Sequence, residues 1–324
     1  MLLAEIDREF LRAAPLRVPS RLIAQALFEG RPPMTRGAKL DAVTRSHLRL
    51  VASRWPRQDV DRPIFIVGIG RSGTTLLGRI IASGKGVGYL KEPKALWHVG
   101  VPDEDISGFY ADEGRFVLDA TDVTDAVRDR VSTMYNWFAT LTRSSRIVDK
   151  YPEMTYRVPF LRALYPDAKI IAIVRDPVAV VSSIVNYSEA MADGRGNWWG
   201  VDDRKWVQMA EQLISDSDIL SLADDVGPGT GEPAARARAE WVLGATHLLR
   251  SQEQIDLIIR FEELLSTPRE TLETLCEVCE LDPDPIVEYG CKIVGSPKTE
   301  TDSSVQRGEF SGLLADLGYQ VAHK

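Results

Sequence analysis

The stretch IFIVGIGRSGTTLL, residues 64–77, is the most informative part of this chain about its expected fold. Its first four residues are apolar, and such a short unbroken run is typical of a strand buried on both faces of a parallel sheet. The glycines Gly68, Gly70 and Gly73 follow, and a stretch of helical character begins after them. A strand, a glycine-rich turn and a helix in direct succession predict a loop whose backbone N–H groups face an anion such as phosphate.

Four later segments repeat the pattern of a short apolar strand, and helical stretches separate most of them. That alternation is typical of a doubly wound α/β domain. We therefore predict an α/β fold with a P-loop-like central parallel sheet flanked by helices. The four further strands are expected at Val87–Leu90, Arg146–Asp149, Ile170–Val174 and Leu257–Arg260.

Two helical regions are expected outside this alternation. Residues 1–58 are predicted as an N-terminal helical extension that precedes an α/β domain over residues 59–324. Its helices are expected at Leu2–Ala13, Ser20–Glu29 and Leu40–Arg54. Between about residues 187 and 240 the strand signals stop and three tryptophans occur. We expect a helical insertion there that caps a ligand site, and the alternative is a helical layer packed on the sheet.

Composition excludes several classes of protein. The net charge of −8 argues against a nucleic-acid binder, because phosphate backbones favour an excess of Lys and Arg. No apolar run approaches the ~20 residues of a membrane span, and acidic residues stand near the N-terminus where a secretory signal has lysines. Three cysteines are too few for a disulfide framework and fit a reducing compartment. We expect a soluble, cytoplasmic protein without an integral membrane segment.

A C-x-x-C pair, Cys276 and Cys279, stands inside a predicted helix over residues 268–281. A zinc site of this type needs a second pair of ligands, and the sequence offers none at a suitable spacing. We interpret both as ordinary helix cysteines and expect no bound metal.

The glycine-rich loop departs from the phosphate loop of ATPases and GTPases. That motif requires Lys directly after the second glycine of G-x-x-x-x-G, and Thr74 stands there instead. The basic residue comes three places earlier, at Arg71. Without the lysine, ATP or GTP chemistry loses a central contact, although a nucleotide kinase or other phosphotransferase remains an alternative. A turn that binds no ligand is the other alternative.

A second anion site is expected where the strand Ile170–Val174 ends in Arg175-Asp176-Pro177. Asp176 is a favourable N-cap and Pro177 a favourable first helical residue, so a helix should begin at once. Arg175 would then lie at the carboxyl end of a strand, where open α/β sheets bind ligands. Ser183 lies about two turns into that helix. The alternative reading is a salt-bridged turn.

These two motifs resemble the donor site of sulfotransferases that use 3′-phosphoadenosine 5′-phosphosulfate (PAPS). The resemblance covers roughly residues 60–310. It implies that the 5′-phosphosulfate is held by Arg71, Ser72, Gly73, Thr74 and Thr75, and the 3′-phosphate by Arg175 and Ser183. The product would be adenosine 3′,5′-bisphosphate (PAP), and no metal is implied.

The resemblance also implies the catalytic residues. Glu92, just past the second strand, is similar to the general base in the branch of tyrosylprotein and many prokaryotic small-molecule sulfotransferases. Another branch uses histidine, so His98 is the rival. Lys150, at the end of the third strand, is similar to the lysine that stabilises the oxygen bridging sulfur and phosphorus, and Asp149 is expected to orient it. A surface carboxylate and a solvated loop lysine are the alternatives for Glu92 and Lys150.

The expected reaction is transfer of a sulfuryl group from PAPS to a hydroxyl of a small-molecule, lipid-like or glycan-like acceptor. Tyr187 stands where the protein-tyrosine branch has a basic residue, which argues against that acceptor. In the tail, Lys298 is the residue expected to help close the donor site. A non-catalytic module that only binds PAP is a further alternative.

Overall fold

The centre of this computed structural model is a sheet of five parallel strands in the order β2-β3-β1-β4-β5. The structure describes residues 6–30, 38–106, 110–111, 113–190, 197–213, 232–295 and 310–319. The predicted α/β fold is confirmed, and each predicted strand is present to within one residue at either end. The strands are β1 Ile64–Gly68, β2 Val87–Lys91, β3 Arg146–Lys150, β4 Lys169–Val174 and β5 Leu257–Arg260.

The strand order reverses direction at β1, which pairs with β3 on one side and β4 on the other. In open α/β sheets, such a reversal leaves a crevice at the carboxyl ends of the strands, because the connections on either side lead away from it. The residues that follow β1, β2, β3 and β4 therefore meet at one edge of the sheet.

Helices cover both faces of the sheet, and β1 shows why. Phe65 and Val67 pack into the core on one face, while Ile64 and Ile66 pack into the core on the other. Side chains of a strand alternate between faces, so a strand covered on both must be apolar throughout. The described helices are α1 Arg8–Ala13, α2 Val18–Leu27, α3 Ala38–Arg54, α4 Thr74–Ile81, α5 Lys94–Gly100, α6 Asp125–Thr142, α7 Val158–Leu164, α8 Pro177–Ala190, α9 Arg204–Gln212, α10 Pro233–Arg250, α11 Phe261–Ser266, α12 Pro268–Cys279, α13 Pro283–Ile293 and α14 Ser311–Asp316.

The N-terminal helices cover the outer edge of β2. Arg21 Nη1 on α2 donates to Tyr89 O at 2.5 Å, and Glu29 Oε1 accepts from Lys91 N at 2.8 Å. Arg21 and Glu29 also form an ion pair at 2.8 Å, with side chains 3% and 1% exposed. An uncovered strand edge is a template for intermolecular pairing, and here side chains occupy its hydrogen-bonding groups.

The first helix is shorter than the predicted Leu2–Ala13. It begins at Arg8, because the Asp7 side chain accepts from Phe10 N at 2.7 Å and so caps the helix there. Residues 2–5 of that prediction lie outside the described residues. No helix in the described part of the chain is long and apolar enough to cross a membrane.

The cysteines of the C-x-x-C pair lie buried and free in α12. Burial raises the pKa of Cys276 and of Cys279 to about 12, so both are protonated thiols at neutral pH. They behave as apolar packing residues, which agrees with their interpretation from the sequence.

Candidate active site

The phosphate loop joins β1 to α4 and depends on glycine at two positions. Gly68 has φ 151° and Gly73 has φ 95°, and both values lie in the positive-φ region that residues with a Cβ rarely adopt. A Cβ at Gly73 would also overlap the ring of Phe261. The loop therefore needs glycine at 73 both for its backbone conformation and for its close packing, and α4 starts with its N–H groups at the loop.

Within this loop, Ser72 is fully buried and its Oγ has no hydrogen-bond partner among the described residues. Buried hydroxyls are ordinarily hydrogen-bonded, so the unpartnered Ser72 hydroxyl beside a helix N-terminus suits contact with an anion. Thr74 is buried as well, whereas Thr75 is exposed. The side chains that the sequence assigned to an anion thus surround the start of α4.

The two predicted anion motifs meet in space. Arg71 Nε donates to Ser183 Oγ at 3.0 Å, and Arg175 Nη1 donates to Arg71 O at 3.3 Å. The Arg175 guanidinium also lies 4.8 Å from the centre of the Phe261 ring. As expected, Asp176 caps α8, since its Oδ1 accepts from Val178 N at 2.9 Å. Two arginines are therefore held side by side at the crevice.

Glu92 and Lys150 form the other half of the site. The Lys150 ammonium donates to a Glu92 carboxylate oxygen and to Thr75 Oγ1, the latter at 3.1 Å. The Lys150 side chain is fully buried and that of Glu92 is 23% exposed. Glu92 has φ 47°, an uncommon conformation for a residue other than glycine that costs about 1–3 kcal/mol. Such strain is typical of functional positions.

His98 and Asp149 face away from this pair. His98 lies on α5, 5.0 Å from the Tyr110 ring, and burial lowers its pKa. Asp149 Oδ2 accepts from Tyr135 OH at 2.6 Å and from Trp97 Nε1 at 3.0 Å, and burial raises its pKa to about 7. Neighbouring residues of a strand point to opposite faces, so Asp149 anchors β3 on the core side.

A cavity of about 300 Å³ opens beside the phosphate loop, within the size range of small-molecule sites. Glu92 lines it, and His98 is not among the described residues that do. Trp198 and Trp199 line it too, while Trp206 packs behind Trp199 with ring centres 6.1 Å apart. Its lining is Gly68, Ile69, Gly70, Glu92, Lys94, Pro152, Glu153, Thr155, Tyr156, Tyr187, Asn197, Trp198, Trp199, Gly200, Lys205 and Glu240.

Two residues of the site were not predicted from the sequence. Thr155 Oγ1 accepts from Gly68 N at 2.8 Å and so supports the turn of the phosphate loop. Glu240, on α10, accepts hydrogen bonds from Trp198 and Trp199 in the cavity lining. Thr155 lies five residues after β3, and this position alone is a weak signal of a role in the site. In the sequence, Glu240 cannot be distinguished from any other carboxylate on a helix.

One predicted residue, Lys298, lies outside the described residues. Among the described residues, no group of three or more His, Cys, Asp or Glu side chains could hold a metal ion.

The pattern that describes the sulfotransferase family matches residues 63–285. The chain belongs to this family. The match contains the whole described site, from β1 through the phosphate loop to β5, and it confirms the resemblance inferred from the two anion motifs.

Two curated relatives are each 26% identical to this chain. They are an uncharacterized protein of Aquifex aeolicus, over 262 residues, and nodulation protein NoeE of Sinorhizobium fredii, over 239 residues. The alignments cover 77% and 70% of this chain but only 29% and 52% of those relatives, so this chain spans at most about half of their length.

Solved structures of the family resemble the chain as well. The sulfotransferase STF9 of Mycobacterium avium aligns with 96% of this chain and 94% of its own, with a TM-score of 0.48 and 11% identity. The sulfotransferase domain of the Synechococcus PCC 7002 olefin synthase aligns with 83% of this chain and all of its own, with a TM-score of 0.47 and 17% identity.

Proposed function

We propose that the chain transfers a sulfuryl group from PAPS to an acceptor hydroxyl. The observation that carries this proposal is the convergence of two arginine motifs with a Glu–Lys pair at one edge of the sheet. Arg71 contacts Ser183, and Lys150 contacts both Glu92 and Thr75. Anion binding and acid–base chemistry are thereby joined through the same phosphate loop.

The residues present fit a donor with phosphates at both ends of its nucleoside. The unpaired Ser72 hydroxyl and the N–H groups at the start of α4 suit the 5′-phosphosulfate. Arg175 and Ser183 suit a separate 3′-phosphate, because a guanidinium at a strand end offers several N–H donors to phosphate oxygens. The Arg71–Ser183 hydrogen bond supports this proposal, because it joins residues assigned to the two phosphate groups.

In the proposed reaction, the acceptor oxygen forms a bond to sulfur while the bond from sulfur to the bridging phosphate oxygen breaks. Glu92 takes the acceptor proton, and PAP leaves with the electron pair of the broken bond. Lys150, which donates to Thr75, is proposed to stabilise the charge that develops on the bridging oxygen. Glu92 suits the base better than His98, since it lines the cavity and contacts Lys150.

The acceptor is proposed to be a small molecule or a lipid- or glycan-like compound that enters the cavity along Trp198 and Trp199. The division into an N-terminal extension over residues 1–58 and a sulfotransferase domain over 59–324 also remains part of this proposal. We place the protein in the cytoplasm because its three cysteines are free.

Calorimetry with PAP, and with ATP plus Mg²⁺, tests the donor. We expect PAP to bind and ATP to bind far more weakly, because Thr74 replaces the lysine that contacts ATP phosphates. Preference for ATP with Mg²⁺ would instead support a phosphotransferase. The double variant Arg71→Ala, Arg175→Ala should lose PAP binding, and full transfer by that variant would overturn the site assignment.

Transfer itself is tested with labelled PAPS and a panel of hydroxyl compounds that includes phenols, glycosides and lipid alcohols. We expect the labelled sulfuryl group to be transferred to at least one class of these hydroxyl compounds. Tight PAP binding without transfer to any class, unchanged by Glu92→Gln, would support a module that binds PAP without turnover.

A further inference from the structure

Helix α10 contacts both anion motifs and the cavity through three residues within two turns. Trp241 Nε1 donates to Arg175 O at 3.0 Å. Gly244 lies against the phosphate loop, since a Cβ there would be 2.7 Å from Ile69 Cγ1. Glu240 faces the cavity. One rigid element therefore contacts the 3′-phosphate arginine, the phosphate loop and the cavity.

The buried Glu240 carboxylate accepts hydrogen bonds from three donors. Its Oε2 accepts from Trp198 Nε1 at 2.8 Å and from Trp199 Nε1 at 2.9 Å, and its Oε1 accepts from Lys205 Nζ at 2.7 Å. Glu240 is 2% exposed, so the carboxylate depends on these partners in place of water. Burial lowers the pKa of Lys205, but the charges of Glu240, Glu153 and Glu92 and the hydrogen bond to Glu240 together outweigh this, so the pKa is raised and the ammonium persists.

We call Trp198, Trp199 and Lys205 the tryptophan wall. Its Trp198 ring lies directly on the phosphate loop, because a Cβ at Gly70 would overlap that ring. The same ring is 5.9 Å from the Arg71 guanidinium and packs edge-on against Tyr187, with centres 5.7 Å apart. The wall of the cavity and the anion-binding loop are thus a single packed unit.

We propose that Glu240 is a positioning residue that holds the tryptophan wall against the phosphate loop, so that donor affinity depends on the wall. This inference rests on the proposed function, because it assigns the loop to PAPS. Without Glu240, both indole N–H groups and the Lys205 ammonium lose a buried acceptor. The Trp198 indole N–H then lacks its acceptor, and the ring that packs on Gly70 and Arg71 is held less firmly.

Calorimetry with PAP on the full chain tests this. Glu240→Leu and Trp198→Ala should each weaken PAP binding roughly three- to thirtyfold, the range for residues that act through packed neighbours. Glu240→Gln keeps one acceptor oxygen and should lose less. Glu211→Gln, an exposed carboxylate on neighbouring α9, is the matched control and should bind PAP like the wild type.

A double variant separates positioning from stability. Glu240→Leu leaves Lys205 as an unpaired buried ammonium, and adding Lys205→Met removes that charge and should raise the melting temperature again. PAP affinity should stay low in the double variant, because the Trp198 indole N–H still lacks its acceptor. Recovery of affinity together with stability would overturn the positioning role.

The other possible results distinguish failure of the proposed donor from failure of the positioning role. If the wild type does not bind PAP, the proposed donor is wrong. If the wild type binds PAP and Glu240→Leu and Trp198→Ala bind it equally well, the donor stands and this inference is wrong. If Glu240→Leu fails to fold, Trp198→Ala carries the same test, since Trp198 is only partly buried.

Discussion

Glu92 and Lys150 are joined by two hydrogen bonds, one between their backbones and one between their side chains. Glu92 N donates to Lys150 O at 2.7 Å, which continues the pairing of β2 with β3 past the last paired residues. The Lys150 ammonium then donates to the Glu92 carboxylate. Because the lysine is fully buried and the glutamate is partly exposed, only the carboxylate faces the cavity.

Replacing the proposed base should abolish transfer but not donor binding. Glu92→Gln keeps the shape of the side chain and cannot accept a proton, so kcat should fall about 10²–10⁴-fold. PAP affinity by calorimetry should stay unchanged. His98→Gln is the rival variant and should keep wild-type kcat, since His98 lies against Tyr110 outside the cavity lining. The opposite pattern would make His98 the base.

Removing the lysine should impair the chemical step through lost charge stabilisation. Lys150→Met is nearly isosteric but leaves Thr75 and Glu92 without the ammonium, so we expect kcat to fall about 10²–10³-fold. Lys150→Arg should not restore it, because the site is fully buried and the larger guanidinium does not fit a point-charge role. Single-turnover kinetics with labelled PAPS measure this. Normal turnover by Lys150→Met would contradict the assignment.

Gly73 should tolerate no side chain. At φ 95°, Gly73→Ala should cost at least about 1 kcal/mol of folding free energy, and its Cβ would displace Phe261 or the loop. PAP binding should weaken at the same time. Gly312→Ala in α14 is the control, because among the described residues no atom outside its chain neighbours and its own helix backbone lies within 4 Å of an added Cβ, and its φ is not positive. Urea unfolding and calorimetry report both effects.

Asp149 should make stability depend on pH in a defined direction. Burial raises its pKa from 3.8 to about 7 in the folded protein, so the fold prefers the protonated carboxyl. Its contribution is fully present below about pH 4 and is lost as the pH rises towards 7. Asp149→Asn does not titrate and still accepts from Trp97 and Tyr135.

The measurement compares urea unfolding of both proteins from pH 4 to pH 8. The difference in unfolding free energy should shift in favour of Asp149→Asn by at most about 4 kcal/mol over this range. Other titrating groups are common to both proteins and cancel in the difference. A difference that does not change with pH would mean that the folded pKa of Asp149 is close to its unfolded value.

Local patterns in the sequence were sufficient for the sheet and the phosphate loop. The five strands are short apolar runs, and burial on both faces demands such runs wherever they occur. Gly73, Arg71 and the Arg175-Asp176-Pro177 turn each act within a few residues of chain, so their roles follow from neighbours in the sequence. The edge of the sheet that holds the site could also be inferred, because parallel strands place their carboxyl ends together.

Which of these residues contact one another depends on the tertiary fold. The Arg71–Ser183 and Lys150–Glu92 contacts join residues 112 and 58 positions apart, and many other polar pairs were possible. Glu240 illustrates the limit of prediction from sequence, because a carboxylate on an amphipathic helix is ordinarily solvated. It becomes a buried hydrogen-bond acceptor only when two tryptophans and a lysine pack over it. Sequence patterns record which residues prefer burial or a turn. Contacts between residues that are distant in the sequence depend on how the helices and strands pack against one another, and no local sequence pattern specifies that packing.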